Sequence, residues 1–271
     1  MSDLALPSSR IAQSTIVKFL RDGFNGSRAL AINAAIMMIG FVVCVALQNF
    51  DGRLLLGINV WDKPAKFFFA LGVHLFTAAW ALSLITPAMR AQRSVVWAAR
   101  LMIGAAWAEL VYIVFRAARG EASHFNTALP LDAALYAIMG LGALTLTFTA
   151  GYIGYRIFRQ RQGMIWREAA GIGLMLGTVL GTLTAGYMSS QAGHAVGGAV
   201  GDATGLPIFH WSTTGGDLRV AHFVGLHAMQ LLPFAALSGK RLVVYGVAIV
   251  IVLLTVVTFI QAVLGMPLLQ A

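Results

Sequence analysis

A single cysteine, Cys44, stands in 271 residues, and it lies inside an apolar stretch. No intramolecular disulfide and no cysteine metal cage can therefore form. Charge is equally scarce. Only 11% of the residues are charged and ten are acidic, while 59% are apolar and the mean hydropathy is +0.80. That balance excludes a soluble domain of this length. No linker rich in proline or serine divides the chain, and the final apolar stretch, 241–264, contains no histidine and no acid. The net charge of +9 comes from residues dispersed in short clusters rather than gathered on one face, which argues against nucleic-acid binding and for membrane topology.

Apolar runs of about 20 residues, each able to cross ~30 Å of hydrocarbon as a helix, can be drawn seven times. They fall near 29–48, 64–86, 95–117, 131–156, 168–188, 218–237 and 241–264. The expected fold is all-α: a polytopic bundle of seven transmembrane helices. With the N-terminus inside, the inner segments collect 13 of the 19 basic residues: Arg10, Lys18, Arg21, Arg28, Arg90, Arg93, Arg100, Arg156, Arg159, Arg161, Arg167, Lys240 and Arg241. The positive-inside rule then predicts an N-in, C-out protein of the inner (cytoplasmic) membrane. Residues 1–28 mix Ile11, Ile16, Val17, Phe19 and Leu20 with Arg10, Lys18 and Arg21, as a short interfacial helix would, and 29–271 form the transmembrane domain. Gly173, Gly177 and Gly181, four apart, mark a helix-packing face.

All six histidines fall in the outer half of this drawing. His74, Glu109 and His227 lie inside spans, where an ionisable group is a functional-site hypothesis. Glu109, Tyr112, Arg116 and Arg119 are spaced by 3, 4 and 3, one polar stripe from mid-membrane to the outer surface that lines a cavity or an interhelical hydrogen-bond seam. Trp61-Asp62-Lys63-Pro64 opens the second span, and His124 and Asn126 stand in the loop after the third. A glycine-rich loop at 189–217 carries His194 and His210 and ends in Asp217. These segments form the rim of an outward-facing, periplasmic site, with Lys63, Arg116, Arg119, His124, Asn126, Asp217 and Gln230 as substrate or rim residues.

The second and sixth spans share a pattern. Lys66 with Gly72 and His74 matches Arg219 with Gly225 and His227, each histidine about 12 Å below its cation at 1.5 Å per residue. Read as chemistry, this spacing suits a b-type haem with His74 and His227 as axial ligands and Lys66 and Arg219 meeting the propionates. Gly72 and Gly225 would then let the macrocycle approach, and Glu109 and Tyr112 would handle protons for a redox role toward a quinone-like or anionic partner. A zinc site of His74, His227 and Glu109, with Tyr112, His222 or Gln230 behind it, is the alternative, attacking a lipid amide or ester. His222 and His227 are turned by about 140° from each other around a regular helix, so they do not form one small metal site without distortion. A third reading needs no cofactor: a proton-coupled transporter or sensor titrating Glu109 and the histidines. Broken helices or inverted repeats would support it, and the sequence shows neither. Pro233 is a candidate kink in the sixth span.

Seven spans with membrane histidines and an acid resemble, in layout, the alkaline-ceramidase and adiponectin-receptor class of membrane metal hydrolases. That class carries a two-histidine motif in its last span, which 241–264 lacks, and a retinal-binding lysine is missing there too. No family is assigned.

Overall fold

The computed structural model describes residues 7–127, 129–160, 163–199 and 201–270, so Arg161 lies outside the described residues, as do the side chains of Arg10, Ile11 and Ile16. The chain is helical almost throughout. Six helices are long and apolar enough to cross a membrane: α2 (Arg28–Leu47), α3 (Asp62–Ser83), α5 (Arg93–Ala118), α6 (Pro130–Phe158), α7 (Ile165–Ser189) and α10 (Arg241–Val263). Helix α1 (Pro7–Gly26) precedes them, and α4 (Pro87–Arg90) is one turn between α3 and α5. Each lies within a few residues of its expected span, because an unbroken apolar run of this length has no other way to satisfy its backbone in hydrocarbon.

The sixth span departs from expectation. It is two helices, α8 (Leu218–Leu226) and α9 (Ala228–Ala235), the second continued by a 3₁₀ turn to Ser238, and they meet at His227 with a bend of 42°. Pro233 lies inside α9, six residues beyond the break. Proline removes a donor and crowds the carbonyl four residues back, which loosens the helix on its N-terminal side. The break is accommodated by α7. A Cβ on Gly173 would stand 2.7 Å from the Ala228 carbonyl, one on Gly177 3.0 Å from that of Leu226, and one on Gly181 2.5 Å from the Leu226 side chain. The glycine stripe is thus the packing face it was read to be.

Two ends of the bundle have different character. At one, arginines tie helices together: Arg90 donates to the Asn25 carbonyl at 2.5 Å, Arg167 to that of Leu84 at 2.5 Å, and Arg156 to Ser94 at 3.0 Å and to Gln92. Buried Glu168 pairs with Arg241 at 2.8 Å and accepts from Tyr245. These cations satisfy carbonyls that helix ends leave open as well as marking topology. At the opposite end lie longer loops, two short hairpins and the histidines. Strands β1 (Leu54–Leu55) and β2 (Ile58–Asn59) close on Leu56 and Gly57, both at positive φ, as a two-residue hairpin requires. Strands β3 (Ala195–Val196) and β4 (Gly216–Asp217) fasten the two ends of the 190–217 loop.

Helix α1 docks on the bundle rather than lying free. Phe19 meets Phe76 and Trp80 at ring distances of 5.2 and 5.8 Å, while Val17 and Leu20 stay exposed. At its end a Cβ on Gly26 would stand 1.8 Å from the Ala79 carbonyl. Gly26→Ala is expected to destabilise the detergent-solubilised protein by about 1–3 kcal/mol, as overpacking does. A thermal melt that does not move would refute that contact.

Candidate functional site

On its inward side, α6 carries Asp132, Tyr136, Met139, Gly142 and Leu146 at spacings of 4, 3, 3 and 4, one face along the helix. Arg116 and Glu109 of the α5 stripe meet this interior. Arg116, 8% exposed, binds Asp132 at 2.9 Å, Glu121 at 3.0 Å and the Ala122 carbonyl at 3.1 Å. Glu109 is 5% exposed and rests on Gly142, where a Cβ would lie 2.5 Å from its Oε1. Arg119 leans out of the fold to Glu121 at 2.9 Å. The upper stripe is therefore an interhelical seam, whereas the lower part is not satisfied: Glu109 Oε1 and the Tyr112 hydroxyl are buried without a hydrogen-bond partner.

His74 reaches the same face from α3. The backbone of Leu146 lies beside its ring, and among the described residues its Nε2 is buried without a partner. Gly142 and Leu146 are one turn apart, so the carboxyl of Glu109 and the ring of His74 address α6 at levels separated by about 6 Å. Among the described residues Glu109 Oε1 and His74 Nε2 are thus buried without partners where α5 and α3 meet α6, while the Tyr112 hydroxyl, likewise unpartnered, belongs to a ring on the outer face of α5 beside Val111 and Phe115. An unpaired buried group costs about 1–3 kcal/mol, so such groups call for a functional account.

His227 belongs to the adjoining wall. Its Nδ1 stands 3.1 Å from Gln230 Oε1, and Gln230 Nε2 donates to Thr77 Oγ1 at 3.0 Å. Thr77 lies three residues beyond His74 on α3, so the break in the sixth span is coupled by hydrogen bonds to the helix that carries the other histidine. His222 looks elsewhere, its Nδ1 3.1 Å from both the Gly181 carbonyl and Thr184 Oγ1 in α7.

Above these groups the expected cations are partnered. Lys66 lies 2.5 Å from Asp62, four residues earlier on the same helix, and His210 Nε2 lies 3.1 Å from the same oxygen. Arg219 binds Asp217 at 2.7 Å, Asp202 at 2.9 Å and the His210 carbonyl at 2.5 Å. Burial pushes the Asp217 carboxyl up, but the His194 ring and the Arg219 guanidinium beside it overcome this and hold it well below the usual carboxylate range. Lys63 differs from its neighbours. Its ammonium stands 6.0 Å from the Phe67 ring, the charges acting on it come from Asp202, Arg219 and Glu109, and among the described residues no carboxylate forms an ion pair with it.

Two expected roles are not seen in the packing. Gly72 faces α2, where a Cβ would lie 2.2 Å from Met38, and Gly225 faces α7, where one would lie 2.8 Å from Leu180. Each glycine sits two residues from its histidine, about 200° around the helix, so both turn away from the side where the imidazoles point. Among the described residues no three His, Cys, Asp or Glu side chains are grouped so as to hold a metal ion. Four residues left out of the expected site prove central to it: Asp62, whose i,i+4 spacing to Lys66 was a readable signal, and Thr77, Gly142 and Asp202, whose roles arise only from tertiary contact.

The loop after α5 packs beside these groups. His124 packs between Phe67 at 5.4 Å and Tyr136 at 6.0 Å, with Ser123 Oγ 3.1 Å from its Nδ1, and Asn126 donates to the Ala122 carbonyl at 3.4 Å. Burial, and then the nearby charge of Lys63, hold the His124 imidazole well below the ordinary histidine range. The fold therefore favours the neutral ring, while an unfolded segment binds a proton below about pH 6.5, so loop stability falls as the pH drops through that value. Hydrogen exchange of residues 121–127, corrected for intrinsic rate, is expected to rise between about pH 7.5 and about pH 5 and to lose this dependence in His124→Gln. Unchanged protection would refute it.

No protein-family model, no curated protein and no solved structure matches this chain.

Proposed function

We propose that this is a proton-coupled membrane carrier for a small polar solute, with its site between α3, α5, α6 and the broken sixth span and its loop-rich end facing the outside of the cytoplasmic membrane. The observation that carries this reading is the break at His227. Discontinuous membrane helices place backbone dipole ends and a hinge at a mid-membrane site, and alternating access needs such a movable element. Here the break lies beside buried polar atoms that have no partner among the described residues, Glu109 Oε1 and His74 Nε2. Glu109 is the proton carrier in this scheme, because a carboxyl can lose and regain a proton with one solute per cycle. His227, Gln230 and Thr77 transmit the state of the hinge to α3. The Lys and Arg distribution supports this orientation.

The test is flux. In proteoliposomes with a trapped pH dye and an imposed potassium diffusion potential, the sodium salts of mono- and dicarboxylic acids, phosphate and amino acids are supplied in turn. One class is expected to drive proton entry in the parent protein and not in Glu109→Gln. Folded protein that moves protons with none of them would sink the proposal.

One observation favours a second reading, a b-type haem protein. The His227 ring is anchored through Nδ1 by Gln230, and the His74 Nε2 is free of partners, the arrangement in which an imidazole presents Nε2 to a metal. A Soret band in the purified protein that is lost in His74→Ala and His227→Ala would establish it, and a colourless preparation reconstituted with haem without a spectral shift would exclude it.

A further inference from the structure

At the loop-rich end of the bundle three cations, Lys63, Lys66 and Arg219, lie among three carboxylates, Asp62, Asp202 and Asp217. With the histidines neutral the group carries no net charge. Two of the carboxylates are fixed by their place in the chain. Asp62 precedes Lys66 by one helical turn, and Asp217 caps α8 through the Arg219 backbone N–H at 3.0 Å as well as binding its guanidinium. Asp202 comes from the middle of the 190–217 loop, seventeen residues from Arg219 in sequence. Its Oδ1 lies 2.9 Å from Arg219 Nη2 and 3.5 Å from His194 Nε2, and it heads the charges acting on Lys63. Withdrawing it would leave Arg219 with Asp217 alone, Lys63 with no compensating lid carboxylate, and one net positive charge in a half-buried place where solvent screens poorly.

The loop that delivers Asp202 is attached at several points among the described residues. Its backbone N–H donates to the Leu56 carbonyl at 2.9 Å, Ala203 lies under Gly57, and Thr213 donates to the Thr204 carbonyl at 2.8 Å. Ile208 and His210 adopt positive φ, a conformation that costs a side-chain-bearing residue, and Ile208 is 74% exposed. Phe209 and Trp211 pack on Phe223 of α8 at 5.4 Å, and His210 reaches Asp62 at 3.1 Å and, through its carbonyl, Arg219. The contact of Asp202 with Arg219 is one tie to the bundle among these.

We propose that the Asp202 carboxylate occupies the place of a substrate anion, a carboxylate or a phosphate, which binds between Lys63 and Arg219, displaces Asp202 and so releases the loop. This names the solute class for the site described above and rests on that reading. Entry and lid opening become one event, since the incoming anion takes over one of the ties that kept the lid shut. Lys63, which forms no ion pair among the described residues, supplies the second cation.

Asp202→Asn in the full-length, detergent-purified protein tests this, with sodium acetate and sodium phosphate as separate probes and sodium chloride matching ionic strength. Trp211, stacked on Phe209 at 4.6 Å and against Phe223 at 5.4 Å, reports the lid by fluorescence, with Trp211→Phe as the blank. Removing the internal competitor is expected to tighten binding of one probe by about ten-fold or more, and adding Lys63→Met is expected to abolish the gain. Acetate alone responding identifies a carboxylate substrate, and phosphate alone a phosphate one. A variant that loosens the loop and binds neither probe makes Asp202 a structural clamp and overturns the proposal. If Asp202→Asn does not fold, chymotrypsin cleavage at Phe209 and Trp211 in the parent protein decides: it must be faster in acetate or phosphate than in chloride, and equal rates overturn the proposal. Binding is read here without proton flux. Failure with Glu109-dependent flux intact removes only the anion site, whereas failure of both removes the carrier reading.

Discussion

Glu109→Gln is expected to leave the protein folded and to reduce solute-driven proton flux by about 100-fold or more, the scale on which a lost proton-transfer group acts. The side chain is buried at 5% exposure, its Oε1 is pressed against Gly142, and no donor reaches that oxygen. Glutamine has the same shape, so packing against Gly142 is retained. It brings no charge into the bundle, so thermal stability should be unchanged or higher, since an ionised carboxylate is the costliest group to leave there. A loss of flux together with a fall in the melting temperature would signify a structural role instead. Gly142→Ala separates these further. The acid stays, but the added methyl group would stand 2.5 Å from Oε1 and must push the carboxyl away from α6. Reduced flux in a folded Gly142→Ala protein would show that the position of the carboxyl, and not its presence alone, matters.

This prediction depends on neighbours that a linear reading cannot supply. Seven apolar runs were legible because hydrocarbon permits so few backbone solutions, and the ends of the six continuous spans were misjudged by only a few residues. The break at His227 was not legible. The kink candidate, Pro233, lies six residues away, and the room for the break is made by Gly173 and Gly177 on another helix. Spacing brought Glu109, Tyr112 and Arg116 to one face, yet only the fold separates Arg116, paired with Asp132, from Glu109 and Tyr112, left without partners. The repeated cation-glycine-histidine pattern shows the converse. Its glycines belong to helix packing, as their offset of two from each histidine already implied, and its cations are engaged with Asp62, Asp202 and Asp217. Asp62 could be inferred from an i,i+4 spacing. Asp202 could not, since a loop has no periodicity from which to infer where its side chains come to rest.

Arg219→Ala should be the most destabilising substitution at the loop-rich end. The guanidinium is the shared partner of Asp217, whose side chain is 1% exposed, and Asp202, at 10%, and it also holds the His210 carbonyl. Deleting one member of a buried ion group leaves the others uncompensated, a loss of about 3–5 kcal/mol. For a chain of this size that corresponds to a melting temperature lower by roughly 6–20 °C. The Ser212 N–H at 2.9 Å and the His194 ring at 3.7 Å still face Asp217, which keeps the loss below that of a wholly abandoned charge. The pH dependence gives the mechanism. In the parent protein the Asp217 carboxyl is held well below its ordinary range, so its contribution persists through neutral pH and is lost only as the pH falls through that lowered value. Without the guanidinium, burial dominates and pushes the carboxyl up, so protonation relieves the variant. The stability deficit is therefore expected to shrink between about pH 7 and about pH 4.5 and to be partly restored at neutral pH by Asp202→Asn. Hydrogen exchange of residues 203–212 should increase most, because the lid loses its tie before the bundle does. A deficit that stays constant with pH would mean that the guanidinium acts by packing and not by charge.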